Sequence, residues 1–147
     1  MLPETTTRVA WNTAETINRR IAEQTEERIR HYAARPQQID RRLKELDEEW
    51  DMERTLETNA AGVALLGTVL GAINKRFLLL PGLVAGFLLQ HALQGWCPPV
   101  PILRRMGFRT SYEIEEERQA LKAVRGDYSS VGSNQDPARA AVRAAAQ

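Results

Sequence analysis

Between Ala60 and Leu89 the chain carries only two charges, Lys75 and Arg76, which stand next to each other near the middle of the stretch. On either side, residues 15–57 and 104–127 are dense in Arg, Glu, Asp and Lys. The mean hydropathy of −0.42 therefore averages over two populations that do not mix. Segregation of this kind suits a bilayer as solvent for the middle and water for the arms. The apolar residues also run all the way round: Val63 to Leu66 are consecutive, as are Phe77 to Leu80 and Phe87 to Leu89. A surface helix of a soluble domain keeps a polar face. The expectation is an all-α chain, a two-helix transmembrane hairpin flanked by amphipathic helical arms.

The hairpin is expected over 58–96, with Asn74-Lys75-Arg76 as its turn. Its first helix, Thr58 to Ile73, would be ~24 Å long. A bilayer core of ~30 Å asks for about 20 residues, so thinning or tilt must absorb the difference. A soluble oligomer that buries the hairpin in its core is the rival reading. Pro81 leaves two starts open for the second helix. If it begins at Phe77, Pro81 bends its first turns; if it begins at Pro81, residues 77–80 lie along the interface.

The N-terminal arm, 1–57, reads as a frayed start, a helix over 9–33 and a second helix from Pro36, a residue suited to a first turn. In the second helix Ile39, Leu43, Leu46 and Trp50 form an apolar seam, most simply a core-facing stripe, which can pack on the first arm helix or on a second subunit. No break follows, so this helix can run straight into the hairpin. After Trp96, the prolines of Cys97-Pro98-Pro99-Val100-Pro101 are expected to prevent regular helix, and Ile102 to Met106 is expected to form a short turn at the interface. A helix then opens at Thr110, with Glu113 placed for a capping box, and ends near Gly126 as C-cap. This segment, 97–128, is followed by a Ser-, Gly- and Ala-rich tail, 129–147, expected to be disordered. The Glu115-Glu116-Glu117 run reads as a solvated helix face.

Several residues within the hairpin are candidates for a specific role. Gly67 and Gly71, and Gly82 and Gly86, form two pairs spaced by four. In lipid such pairs let helix backbones approach closely, either within the hairpin or between subunits. In an antiparallel hairpin turning at Lys75, Asn59 and His91 lie at similar depth, with Gln90 and Gln94 beside His91. Asn59, Gln90, His91 and Gln94 are thus expected to gather at the open end. Polar groups in a membrane cost free energy unless paired and tend to mark function; interfacial solvation or a structural interhelix hydrogen bond is the simpler reading. Cys97 is the only cysteine, so an intramolecular disulfide is excluded. Its flanking prolines and the nearby Arg104 and Arg105 allow a thiol of lowered pKa, acting as a redox or sulfur-carrying group; a structural role is the simpler reading. One Cys and two widely separated His make no convincing zinc site, and no cofactor or metal is expected. Trp96 and Phe108 fit an interfacial aromatic belt at the open end, and Phe77 fits the turn end. No nucleotide loop, catalytic triad or paired-carboxylate site is visible, so no enzyme activity is expected.

The net charge is +1, from 20 basic and 19 acidic residues, which gives no electrostatic reason to expect nucleic acid as a partner. No cationic stretch followed by an apolar run stands at the N-terminus, so no cleaved signal peptide is expected. Arg41, Arg42, Lys44, Arg54, Arg104, Arg105 and Arg109 flank the hairpin, against Lys75 and Arg76 in its turn. By the positive-inside rule both termini are cytoplasmic.

Gly95-Trp96-Cys97-Pro98, followed by Ile102-Leu103 and Met106-Gly107, resembles the YgaP-like transmembrane hairpin family of the bacterial inner membrane. The resemblance covers about 56–108 and includes Asn59 and Leu-Leu-Leu-Pro-Gly-Leu at 78–83. The charged arms resemble a longer, uncharacterised subfamily. The resemblance implies an inner-membrane homodimer. The all-round apolar hairpin, the glycine pairs and the arm seam lead to the expectation of a homodimer or higher homo-oligomer whose arms can contact a cytoplasmic protein. In the best-known relatives the hairpin is fused to a rhodanese sulfurtransferase domain, which hints at sulfane-sulfur or thiol handling. The 147 residues here contain no rhodanese domain. The catalytic cysteine of those relatives belongs to it and does not carry over to Cys97.

Overall fold

The computed structural model describes residues 3–134 and 136–146. The expected frayed start and disordered tail extend onto Met1, Leu2, Gln135 and Gln147, which lie outside the described residues. Among the described residues the fold is all-α, with no strand. The helices are α1 (Arg8–Trp11), α2 (Glu15–Ala33), α3 (Ile39–Glu48), α4 (Met52–Ile73), α5 (Leu79–Gln94), α6 (Val100–Met106), α7 (Ser111–Arg125) and α8 (Pro137–Ala146). The chain forms two compact units. A hairpin unit comprises residues 1–21 and 50–111, and a charged unit comprises 22–49 and 112–147.

In the hairpin unit, α4 starts at a definite cap. Asp51 is extended, and its carboxylate accepts the Arg54 N–H at 2.7 Å, satisfying a donor the helix leaves without a partner. Met52 N–H is taken by Arg109 O at 2.8 Å. The expected continuous run from the arm into the hairpin is therefore interrupted: Glu49 and Asp51 are extended, and the Arg54 guanidinium stacks 4.4 Å above the Trp50 ring. At the other end, Asn74 leaves the helix and its side chain accepts Arg76 N–H at 3.1 Å. A single 3-10 turn, Lys75–Leu78, leads into α5. Pro81 falls in the first turn of α5, where a missing N–H removes no intrahelical bond, so neither start expected for this helix is the observed one.

The two helices meet closely at Gly67 and Gly71. A Cβ on Gly67 would lie 2.8 Å from Pro81 Cδ, and one on Gly71 would collide with the Leu78 side chain. At Gly82 and Gly86 an added Cβ would meet nothing within 4 Å. One glycine pair thus closes the hairpin and the other faces outward. Two stretches, ending at Ile73 and spanning Lys75–Gln94, are long and apolar enough to cross a membrane. Only 17% and 6% of their apolar windows are buried, whereas a helix in a soluble core is mostly covered.

The expected helix over 9–33 is broken at residues 12–14. Thr13 Oγ1 donates to Val9 O at 2.8 Å and Asn18 Nδ2 to Ala10 O at 2.9 Å, so short polar side chains compete with the helical ladder. The freed α1 lays Val9 into a core with Met52, Leu56, Cys97 and Val100. The expectation of no regular helix through Pro101 is corrected by α6, which opens at Val100 with Pro101 in its first turn, where a missing N–H removes no intrahelical bond. The Arg104 guanidinium is buried and donates to Phe108 O and Asn18 Oδ1.

In the charged unit, the seam residues Ile39, Leu43 and Leu46 pack with Ile114 and Leu121 of α7, and Tyr32 flanks them. The seam's main partner is thus the C-terminal helix, so residues 22–49 and 112–147 form one body. Trp50, read as part of the seam, is 45% exposed. Glu117, read as part of a solvated face, has a fully buried side chain. Its carboxylate takes Arg42 Nε at 2.8 Å and Arg28 Nε at 3.1 Å, and paired charges tolerate burial. Burial opposes the Arg42 charge, yet the hydrogen bond to Glu117 and the nearby carboxylates raise its pKa.

The C-terminal tail is also a correction, since 137–146 is helical. Asp136 Oδ1 accepts Arg139 N–H at 3.0 Å as a cap, Pro137 opens the helix and alanines fill it. Each choice favours helix. Lys122 Nζ donates to Ala145 O at 2.6 Å. Gly126, with φ +94°, caps α7 as expected. Beyond it, the hydrogen bond from Arg125 holds the Asp127 carboxyl below the usual carboxylate range. A lowered folded pKa means that the stabilisation is complete above the unfolded value of ~3.9 and is lost as pH falls through the lower folded value. The protection of the Asp127 and Ser129 amides, taken relative to their intrinsic exchange rates at each pH, should therefore hold steady from pH 7 to about 4 and fall below that, and Asp127→Asn should abolish the acid step.

Candidate functional site

The open end of the hairpin gathers the most unusual chemistry of the hairpin unit. It is closed by α1. Gly95 caps α5 with φ +76°, and its N–H returns to His91 O at 2.7 Å. A Cβ there would lie 2.5 Å from the Arg8 carbonyl carbon and oxygen, so the α1 backbone rests directly on the cap. Asn12 Nδ2 donates to Gln94 O and to Arg8 O, both at 2.8 Å. One amide thus ties α1 to a carbonyl that the end of α5 leaves without a helical partner.

The four polar residues expected together are placed differently from one another. Asn59 is exposed and turns back along its own helix, donating to Thr55 O at 2.7 Å. Gln94 is exposed and Gln90 half-buried. His91 is 6% exposed, and neither ring nitrogen has a hydrogen-bond partner. The groups around His91 are ones the spacing did not indicate: Arg8 from α1, and Glu53 and Glu57 from α4, act electrostatically on its ring. Thr55 Oγ1, Glu53 Oε2 and Arg8 Nε are likewise buried without a partner. The sequence signal for them is slight. Glu53 and Glu57 lie one helical turn apart just before the apolar run, but nothing local announces that Arg8 folds back over the cap.

Cys97 sits in the core cluster with Val9, Met52, Leu56 and Val100 and is 5% exposed. Burial pushes its thiol pKa up, opposite to the lowered value that its basic flank suggested. The Arg104 guanidinium donates to Phe108 O and Asn18 Oδ1 rather than to the sulfur, and burial alone sets the direction of the thiol's shift. Beside Cys97 an apolar groove of about 230 Å³ runs between Leu56, Val63, Val84 and Leu88, with Pro98 and Pro99 at its end. No group of three or more His, Cys, Asp or Glu suited to a metal occurs among the described residues. The chain matches no family model, no curated protein and no solved structure.

Proposed function

We propose that the chain is a non-enzymatic, homo-oligomeric membrane protein. Its hairpin crosses the bilayer, and its charged helices contact a partner protein on the cytoplasmic face. The observation that carries this reading is the uncovered apolar surface of α4 and α5, where Leu65, Leu66, Val69, Leu79, Leu83 and Leu89 are all exposed. Water disfavours a surface of this size, whereas lipid tails accept it. The resemblance to YgaP-like hairpins supports the same reading and suggests a bacterial inner membrane. The excess of arginine beside the open end supports cytoplasmic termini.

The test is fractionation of cells expressing the full chain. On this reading the protein stays in the pellet after alkaline carbonate and needs detergent for release. Release by carbonate as a monodisperse oligomer would favour the rival, a soluble scaffold that buries the same faces between subunits. Thiol handling through Cys97 has the burial of the sulfur and its raised pKa against it.

Self-association is assigned to the outward glycine pair. With nothing within 4 Å of either position, Gly82 and Gly86 leave a shallow strip on which a second copy can pack. Gly86→Ile should weaken self-association in vesicles by roughly tenfold, read by resonance energy transfer between labelled copies. Leu83→Ala, on the same helix, should leave it within about twofold. Equal effects of the two changes would remove the assignment.

A further inference from the structure

Buried polar groups in folded proteins nearly always have hydrogen-bond partners, and exceptions call for an explanation. At the open end of the hairpin the exceptions converge. Both ring nitrogens of His91, Thr55 Oγ1, Glu53 Oε2 and Arg8 Nε are buried with no partner in the protein. They come from three elements, α5, α4 and α1. The register set by Gly67 against Pro81 brings the 53–57 turn of α4 alongside His91, and Arg8 is held against the Gly95 cap. The charged groups acting on the ring are Arg8 from α1 and Glu53 and Glu57 from α4.

The chemistry of the set narrows what it can hold. Arg8 Nε only donates and an ionised Glu53 only accepts. Thr55 does both, and a neutral imidazole offers one donor and one acceptor. An anion would face Glu53, and a metal cation would face Arg8. Water both gives and accepts, and it is held in buried sites by two to four polar partners. We propose that Arg8, Glu53, Thr55 and His91 build a buried, hydrated proton site in which water links the His91 imidazole to the Glu53 carboxylate. The site exchanges one proton. An N–H bond of the imidazolium breaks with its electron pair staying on the ring, the bridging water passes a proton on, and an O–H bond forms on Glu53. This proposal does not depend on the membrane reading, because all four residues belong to the hairpin unit whichever medium surrounds it.

The chain has two histidines, His31 and His91, so ring-labelled full-length protein, in detergent micelles or in plain buffer according to which keeps it in solution, gives two imidazole signals. His31 is exposed beside Arg35 and serves as the internal reference. The expected result has two parts. The His91 ring shows cross-relaxation to a retained water. Its titration midpoint moves in opposite directions in Glu53→Gln and Arg8→Gln, by about half a pH unit or more, while His31 stays put. A His91 ring with no retained water, or with a midpoint indifferent to both changes in folded protein, overturns the proposal. If either variant fails to fold, the water measurement on the unaltered chain decides alone. Carbonate fractionation is read separately, so failure of the membrane reading and failure of this site are distinguishable.

Discussion

Glu117→Ala is expected to destabilise the charged unit by about 3–5 kcal/mol, the usual cost of removing one partner from a buried ion pair. The side chain is wholly buried between Arg28 and Arg42. Alanine would leave a cavity and two guanidinium groups without their shared acceptor. Arg42 keeps Glu45 and Glu49 at 3.3 and 3.5 Å, which limits its loss, whereas Arg28 keeps the uncharged Thr25 hydroxyl at 2.9 Å. Glu115→Ala, two residues away and exposed, should cost under about 0.5 kcal/mol. Hydrogen exchange of the α7 amides under increasing urea compares the two. Similar losses would mean that Glu117 is not the keystone of this unit.

Gly95→Ala should be the most damaging single methyl group in the hairpin unit. Two costs add there. An L-residue at φ +76° is strained by roughly 1–3 kcal/mol, and the new Cβ meets the Arg8 backbone at 2.5 Å, which forces packed chain to move at about 1–3 kcal/mol more. Gly107 separates the two terms. Its φ is +94°, but a Cβ there would meet nothing within 4 Å, so Gly107→Ala should carry only the strain. Exchange at the Trp11 and Asn12 amides, which are bonded within α1, reports whether α1 has left the cap. Faster exchange in Gly95→Ala and unchanged exchange in Gly107→Ala is the expected pattern. Matching behaviour would mean that the α1 contact contributes nothing.

The all-α class and the apolar hairpin were legible because both rest on composition and periodicity, which act locally. The turn at Asn74 and the cap at Gly126 were legible for the same reason: each is a property of a few adjacent residues. The breaks at 12–14 and 49–51 were not read, because Thr13, Asn18 and Asp51 are ordinary helix-surface residues until their side chains take backbone partners. Glu117 was misplaced because a run of three glutamates looks solvated unless arginines 75 and 89 positions away are known to close on it. The open end was half legible. Depth counting from the turn found His91, but Arg8 arrives from a distant part of the chain and Glu53 lies before the apolar run. Cys97 was read chiefly as a structural residue, and it packs in the core with Val9, Met52, Leu56 and Val100; the rival, an activated thiol, rested on neighbours in sequence alone.

The make-up of the charged unit constrains the order in which the protein is born. Residues 22–49 leave the ribosome early, but their apolar stripe of Ile39, Leu43 and Leu46 closes on Ile114 and Leu121, which are synthesised only after the whole hairpin. A chain whose Gly95 has just left the ribosome therefore carries both apolar helices and an unfinished, sticky arm. Closing over so long an intervening segment is slow compared with local helix formation, and an exposed stripe invites aggregation meanwhile. Synthesis thus imposes a sequence of events: the hairpin finds its surroundings first, and the arm waits for its distant half.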